Sequence, residues 1–296
     1  MKFKINKYNN NLLLLLTILL LIILIITVYS INFNIIDTFT NNDTKDMKTY
    51  SVIFAGAIKN GEQYIKNNLD NIDNCGKKFK NYAVIIYEND SSDKTVEILN
   101  ANKKENYHYI IEKNVAKNSR TNILAHARNS ILNKANKLNQ NNSYDILVML
   151  DLDDINNGGK FVNTIDTCFD YTNEWDVLTS NQSGPYYDIW AFRKKGLMEY
   201  DCWKEYIKAV DNGMPEKEAH DKYIGILGVF NQSDNLMEVD SAFGGIALYK
   251  LNSKVTTCRY KGTHDDGSEI CEHVPFNECI KKNGGKIFIN TKFLTS

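Results

Sequence analysis

The chain has 296 residues, a formal net charge of -1 at pH 7, and 43% hydrophobic against 24% charged residues. Fractions of that order are ordinary for a folded protein, and the near-neutral charge removes the electrostatic reason to expect a nucleic-acid partner. The length suits one large domain or two small ones, and without repeats or an internal linker one domain fits best.

The first element is apolar. No charged residue occurs between Lys7 and Asp37, and residues 12 to 29 are almost wholly Leu, Ile, Val and Thr. A bilayer core takes roughly 20 such residues in a helix, and no convincing small-x-small cleavage site follows. The expectation is therefore a cytosolic tail over residues 1–10, an uncleaved transmembrane anchor over 11–30, and a polar, aperiodic stem over 31–49. Lys2, Lys4 and Lys7 precede the span while Asp37, Asp43, Lys45, Asp46 and Lys48 follow it, which keeps the N-terminus cytosolic. Residues 50–296 would then lie in a secretory lumen, endoplasmic reticulum or Golgi, as the body of a single-pass type II membrane protein. All six cysteines, Cys75, Cys168, Cys202, Cys258, Cys271 and Cys279, follow the anchor, so an oxidising lumen allows up to three disulfides. Asn42, Asn141, Asn181 and Asn231 sit in sequons and would accept glycans if exposed there.

From residue 50 the pattern alternates. Strands are expected over 50–58, 82–87, 107–111 and 144–150, and helices over 62–74, 94–104 and 122–138. Strands alternating with helices of that length indicate parallel βαβ units in a doubly wound α/β sheet. Farther on the pattern is looser, with a helix over 160–171, a strand over 176–179 and an amphipathic stretch over 202–209. A strand over 239–249 carrying a glycine pair, a helix over 274–282 and a strand over 286–290 complete the chain. Trp175 and Trp203 are assigned to the core.

Asp151-Leu152-Asp153-Asp154 leaves the strand 144–150 where such sheets bind ligands, outside the carboxyl ends of the strands. Carboxylates packed this densely repel one another, so such a cluster is solvated, paired with cations, or wrapped on a divalent metal. Alternation along an extended segment turns Asp151 and Asp153 to one side. Alone, the motif reads equally as an acidic turn, and Glu88-Asn89-Asp90-Ser91-Ser92-Asp93-Lys94-Thr95 alone reads as a helix-capping turn. Their order is more specific: the Glu88 turn is followed by Ala127-Arg128-Asn129, the acidic cluster, Gly244-Gly245, and Glu272-His273.

In that order the motifs resemble those of a GT-A glycosyltransferase of the family-2 type, over roughly residues 50 to 293. The Glu88 turn and Tyr187-Asp188-Ile189-Trp190-Ala191-Phe192-Arg193 are also similar to segments of the fungal capsule-associated mannosyltransferases. The resemblance implies a GT-A fold and metal-dependent transfer of a hexose from a GDP- or UDP-sugar to a glycan, protein or lipid acceptor. It implies that Glu88 holds the nucleobase. Asn89 stands where the family has a second Asp, which places it at the nucleotide cleft and makes its own sequon an unsuitable glycan site. It implies that Asp151 and Asp153 contact ribose and a Mn²⁺ or Mg²⁺ ion on the diphosphate, with Asp154 an additional acid. Arg128 either supports the nucleotide or pairs with these carboxylates. Glu272 falls where inverting members keep the base that takes the acceptor proton, with Asp240 the second candidate. His273 replaces an Asp there, as a metal ligand or a structural group at a helix start. Asp188 and Trp190 are expected to contact a sugar, with core packing the other reading of Trp190. Two other classes compete: an inactive homologue acting as a carbohydrate-binding or scaffold subunit, and another metal enzyme on a similar sheet, such as a nucleotidyltransferase.

Overall fold

A computed structural model describes residues 46–295, apart from 116–118, 142 and 234, together with Ile18, Leu20, Ile22, Leu24 and Thr27. The chain divides into two compact units, Met1–Thr44 and Lys45–Ser296. In the first, the five described residues are helical and expose their side chains. The remainder of the expected anchor over 11–30, and the stem up to residue 45, lie outside the described residues. Among the described residues no helix is long and apolar enough to cross a membrane.

The second unit is built on an eight-stranded mixed sheet. Its first half holds β1 (Ser51–Ile58), β2 (Asn81–Asn89), β3 (Tyr107–Glu112) and β4 (Ile146–Leu150), in the order β3-β2-β1-β4 and all parallel. The chain moves outward from β1 to β3 and returns to the other side of β1 as β4. Strand order thus reverses at β1, and the crevice beyond the ends of β1 and β4 is the switch point of the sheet. The second half holds β5 (Val177–Asn181), β6 (Met237–Glu238), β7 (Ile246–Lys250) and β8 (Ile287–Leu294), in the order β4-β7-β5-β8-β6. β7 runs antiparallel between β4 and β5, so the expected doubly wound sheet is mixed.

The strands bury both faces. In β1, Val52 and Phe54 join one apolar cluster while Ile53 and Ala55 join the other, and β2 and β4 alternate in the same way. That is why these strands read as continuous apolar runs. Helix α1 (Ile65–Gly76) covers one face through Ile65, Leu69 and Ile72. Helix α3 (Arg120–Leu138) covers the other through Ala125, Ile131 and Leu132, after the short α2 (Thr95–Ala101) has linked β2 to β3.

Beyond β4 the elements are shorter than expected. The helix over 160–171 is two pieces, α5 (Phe161–Thr164) and a 3-10 turn at Ile165–Cys168, preceded by α4 (Asp154–Asn157). Thr, Asn and Asp at 163, 164, 166 and 167 offer the backbone competing hydrogen bonds, and Thr164 and Thr167 both use theirs on carbonyls. Helices α6 (Cys202–Asp211) and α7 (Glu216–Tyr223) stand together. Helix α8 (Ser253–Thr256) follows β7, and α9 (His273–Lys282) precedes β8. The strand expected over 239–249 begins only at Ile246, because Gly244 and Gly245 have φ of 70° and 88°. A Cβ on Gly244 would lie 2.4 Å from the Ser180 carbonyl oxygen, so only glycine fits this crossing.

One disulfide, Cys258–Cys279, occurs among the described residues, where up to three were expected; Cys75, Cys168, Cys202 and Cys271 are buried thiols. Asn141 and Asn231 are exposed, as a glycan acceptor requires. Asn181 is fully buried with its amide nitrogen on the Phe230 and Thr291 carbonyls, so this sequon cannot be used in the folded chain. Asn42 lies outside the described residues.

Candidate active site

The switch-point crevice is a cavity of about 280 Å³. Its walls come from the end of β1 (Lys59, Asn60), from α3 (Arg120, Arg128), from the acidic cluster, from Tyr187, Asp188 and Trp190, and from Glu272 and His273.

The acidic loop is held by backbone and amide contacts, which fixes where its side chains point. The Asp151 N–H donates to the Gly245 carbonyl (2.9 Å), Asn156 Nδ2 donates to the Asp151 carbonyl (2.8 Å), and Asn68 Nδ2 donates to the Leu152 carbonyl (2.9 Å). Gly56 lets this loop approach β1, since a Cβ there would meet the Leu150 oxygen at 2.4 Å and Leu152 Cγ at 2.7 Å. Leu152 is buried, so alternation sends Asp151 and Asp153 to the other side, and both line the cavity. Asp153 also caps α4, accepting the Ile155 N–H at 3.4 Å. Asp154 opens that helix, is exposed, and does not line the cavity.

Arg128 joins the two acidic motifs. Its Nε donates to Glu272 Oε1 (2.9 Å), its Nη2 donates to Asp151 Oδ1 (3.1 Å), and its guanidinium lies 4.8 Å from the centre of the Phe243 ring. Both Arg128 and Glu272 are buried. The pairing expected of Arg128 is thus present, and it brings Glu272 beside the acidic cluster across 121 residues of sequence (272 minus 151). The disulfide closes the segment 258–279 that carries Glu272 and His273.

The negative charge here is incompletely neutralised. Burial pushes Asp151 up to about 6; Arg128 draws it down again, and the neighbouring Asp153 charge raises it. Asp188 is pushed up to about 7, by burial first and then by the Asp151 and Glu272 charges. Such a cavity favours an entering cation. Mg²⁺ and Mn²⁺ suit all-oxygen sites in which one or two carboxylates share the ion with phosphates and water. Asp151 and Asp153, on one side of one rigid loop, fit that arrangement.

The three-residue set Asp151, Asp153 and His273 is not assembled. Among the described residues no group of three or more His, Cys, Asp and Glu side chains is placed to hold a metal. His273 begins α9 with its ring stacked on Phe243 (centroids 3.8 Å apart) and edge-on to Tyr260. Its ring nitrogens have no hydrogen-bond partner, with Nε2 3.6 Å from Glu272 Oε1. Burial, then Arg128, hold its pKa well below the ordinary value, so the imidazole is neutral.

The other expected residues divide. Glu88 is fully buried at the end of β2 with Oε1 accepting the Ser91 N–H (2.8 Å) and Oε2 unpartnered, and it does not line the main cavity. Its turn braces the loop after β1: Ser91 Oγ, Thr95 Oγ1 and Asp93 Oδ2 accept the N–H groups of Asn60, Gly61 and Glu62. Asn89 lines an adjoining cavity that shares Ile58, Lys59, Arg120 and Leu124 with the first. Asp188 accepts the Ala191 N–H (3.4 Å), and Trp190 Nε1 donates to Asp201 Oδ2 (2.8 Å). Asp240 does not line the cavity: its carboxylate accepts the Lys195 N–H (2.9 Å) and pairs with Lys281 (3.1 Å), because the backbone at Ser241 pairs with Arg193. Sequence reasoning passed over Lys59 and Arg120, two cations on the wall. Their places, just past the end of β1 and at the start of α3, are where the switch-point rule directs attention.

No family model matches the chain. No curated protein matches it either. Among solved structures it is similar to a mannosyltransferase from Pyrobaculum calidifontis in complex with GDP-mannose and Mn²⁺, at 12% identity and a TM-score of 0.45, over 82% of this chain and 55% of that one. S. aureus TarS (residues 1–349) in complex with UDP-GlcNAc is similar at 13% identity and a TM-score of 0.46, over 81% and 55%. Glucosyl-3-phosphoglycerate synthase from Mycobacterium tuberculosis in complex with UDP is similar at 18% identity and a TM-score of 0.34, over 48% of each chain. The chain spans about half the length of these proteins.

Proposed function

We propose that the protein is a glycosyltransferase that moves a hexose from a nucleotide-sugar diphosphate to an acceptor hydroxyl with the help of a divalent metal ion. The observation that carries this reading is the convergence of Asp151, Asp153 and the Arg128–Glu272 pair on one cavity at the switch point of the sheet. When bound, Mn²⁺ or Mg²⁺ would supply charge for the diphosphate that departs, and Asp151 and Asp153 are the side chains to hold it.

This chain's own groups account for the rest of the reaction. As the anomeric carbon–oxygen bond breaks, its electron pair goes to the diphosphate, and Lys59 and Arg120 on the wall carry charge to oppose it. The acceptor oxygen forms the new bond to the anomeric carbon and gives up its proton. Glu272 is the base assigned to that proton, with Arg128 fixing the orientation of its carboxylate. Asp188 and Trp190 line the same cavity and are assigned to sugar hydroxyls and a ring face. The adjoining cavity that Asn89 lines is assigned to the nucleobase, with the buried Glu88 turn bracing the loop beside it. A type II orientation with a lumenal domain is supported by the lysines before the apolar stretch and by the Cys258–Cys279 disulfide.

The test is incubation of the chain with a panel of GDP- and UDP-hexoses and Mn²⁺, reading nucleoside diphosphate release. At least one donor is expected to turn over and to stop on chelation. No turnover of any donor with a broad set of glycan acceptors would favour a sugar-binding role without catalysis.

A further inference from the structure

A second groove, of about 780 Å³, adjoins the first cavity, and Trp190 and Arg120 line both. Its floor is α6. On that helix Cys202 and Ala209 turn inward, while Trp203 and Ile207 are 41% and 55% exposed. Trp203 therefore does not belong to the core as the sequence suggested. The two exposed residues are four positions apart and share one helix face. Tyr206 meets the Trp203 indole edge-on at 6.0 Å.

This face is tied to the wall of the first cavity. Asp201 caps α6 through Oδ1 on the Lys204 N–H (3.0 Å), and its Oδ2 accepts the Trp190 indole N–H (2.8 Å). Arg193 stands 3.5 Å from the same carboxylate. The helix that carries the exposed indole is thus tied to Trp190, which lines the first cavity together with Asp188 and Glu272.

The rim sets what fits. Arg120, Lys204 and Lys208 are matched by Asp201, Asp211 and Glu269, so no net charge recruits an anionic ligand. Asn212 and Ser268 add an amide and a hydroxyl. An exposed indole face ringed by balanced donors and acceptors suits a ring with an apolar face and hydroxyls on its edge.

We infer that this groove is the acceptor site and that the acceptor is a neutral pyranose glycan stacked on Trp203. The inference rests on the nucleotide-sugar reading of the adjoining cavity. Its test uses the full chain and two affinities: neutral trisaccharides (α-mannotriose, cellotriose) by saturation-transfer NMR, which reads sugar protons, and GDP or UDP with Mn²⁺ by calorimetry. Wild type is expected to bind a trisaccharide. Trp203→Ala, and separately the exposed Ile207→Asp, should each weaken that binding by about tenfold or more, with the nucleotide affinity unmoved. Nucleotide binding without trisaccharide binding, or trisaccharide binding indifferent to both substitutions, overturns the inference and leaves the nucleotide reading in place. Dispersed polyprenyl phosphate binding in a Trp203-dependent way, with no trisaccharide bound, also overturns it and assigns the groove to a lipid-linked acceptor. A chain that binds trisaccharide on Trp203 but no nucleotide keeps the groove as a glycan site and refutes the reading of the first cavity.

Discussion

Replacing Arg128 by Met removes the cation that joins the two acidic motifs while keeping most of its length. Arg128 is buried and bonds Glu272 at 2.9 Å and Asp151 at 3.1 Å, so the variant leaves two carboxylates in a poorly solvated site. Removing one partner of a buried pair costs about 3–5 kcal/mol. For a domain of this size that is a fall in Tm on the order of 10 °C. The loss should also depend on pH. With Arg128 present, Asp151 is already pushed up from 3.8 to about 6. The folded state therefore binds the extra proton between those values, so stability falls as pH rises through that window and is level above it. Without Arg128 the folded value moves higher and the fall continues toward neutral pH; Asp188, at about 7 and also lowered by Arg128, moves the same way. Thermal unfolding of both proteins at about pH 5 and about pH 8 reads the difference, with the larger deficit expected at the higher pH. A deficit equal at both, or none at either, would refute the electrostatic account of this cluster.

Glu272→Gln should lower turnover by about 10²–10⁴-fold, the range for loss of a general base. An unchanged rate moves that role, most simply to Asp188. In wild type, kcat/KM should fall as pH drops through about 7 because Asp188 takes up a proton, and Asp188→Asn should remove that decline. Gly244→Ala, at φ 70° with the Ser180 oxygen 2.4 Å from the new Cβ, should destabilise the domain by more than about 1 kcal/mol in urea unfolding. A neutral result would mean that the crossing of β5 and β7 can shift. Reducing Cys258–Cys279, which closes a 21-residue separation, should remove about 3 kcal/mol. If the segment 258–279 holds Glu272 in place, it should also lower activity before global unfolding.

The parallel half of the sheet was legible because Val52 to Ala55, Val84 to Ile86 and Leu147 to Leu150 are apolar on both faces. Such runs, alternating with helices, leave few other folds. The Asp151–Asp153 side of the site followed from the strand before it and from alternation across Leu152. What could not be read depends on partners distant in sequence. The stretch from Val239 to Tyr249 reads as one strand carrying a glycine pair, and the positive φ of Gly244 and Gly245, with Gly244 against Ser180, delays that strand to Ile246. Asp240 was put near the site because it stands just before that glycine pair, and the pairing of Ser241 with Arg193 turns it to Lys195 and Lys281. Helix α6 has two apolar faces, and periodicity alone did not say that Cys202 and Ala209 face the core while Trp203 and Ile207 face solvent. His273 read as a metal ligand or as a structural group at a helix start, and stacking on Phe243, with Tyr260 edge-on, determines where its ring lies.

The central claim is that Asp151 and Asp153 hold a divalent ion against a nucleoside diphosphate. Calorimetric titration of GDP and UDP into the chain, with Mn²⁺ and with chelator, tests it most directly. Wild type should bind one of them only with the metal, and Asp153→Ala, which exchanges an exposed residue and a weak cap, should weaken that binding by about tenfold or more while the fold is retained. Binding that ignores both the metal and Asp153, or no binding of either nucleotide, would contradict it.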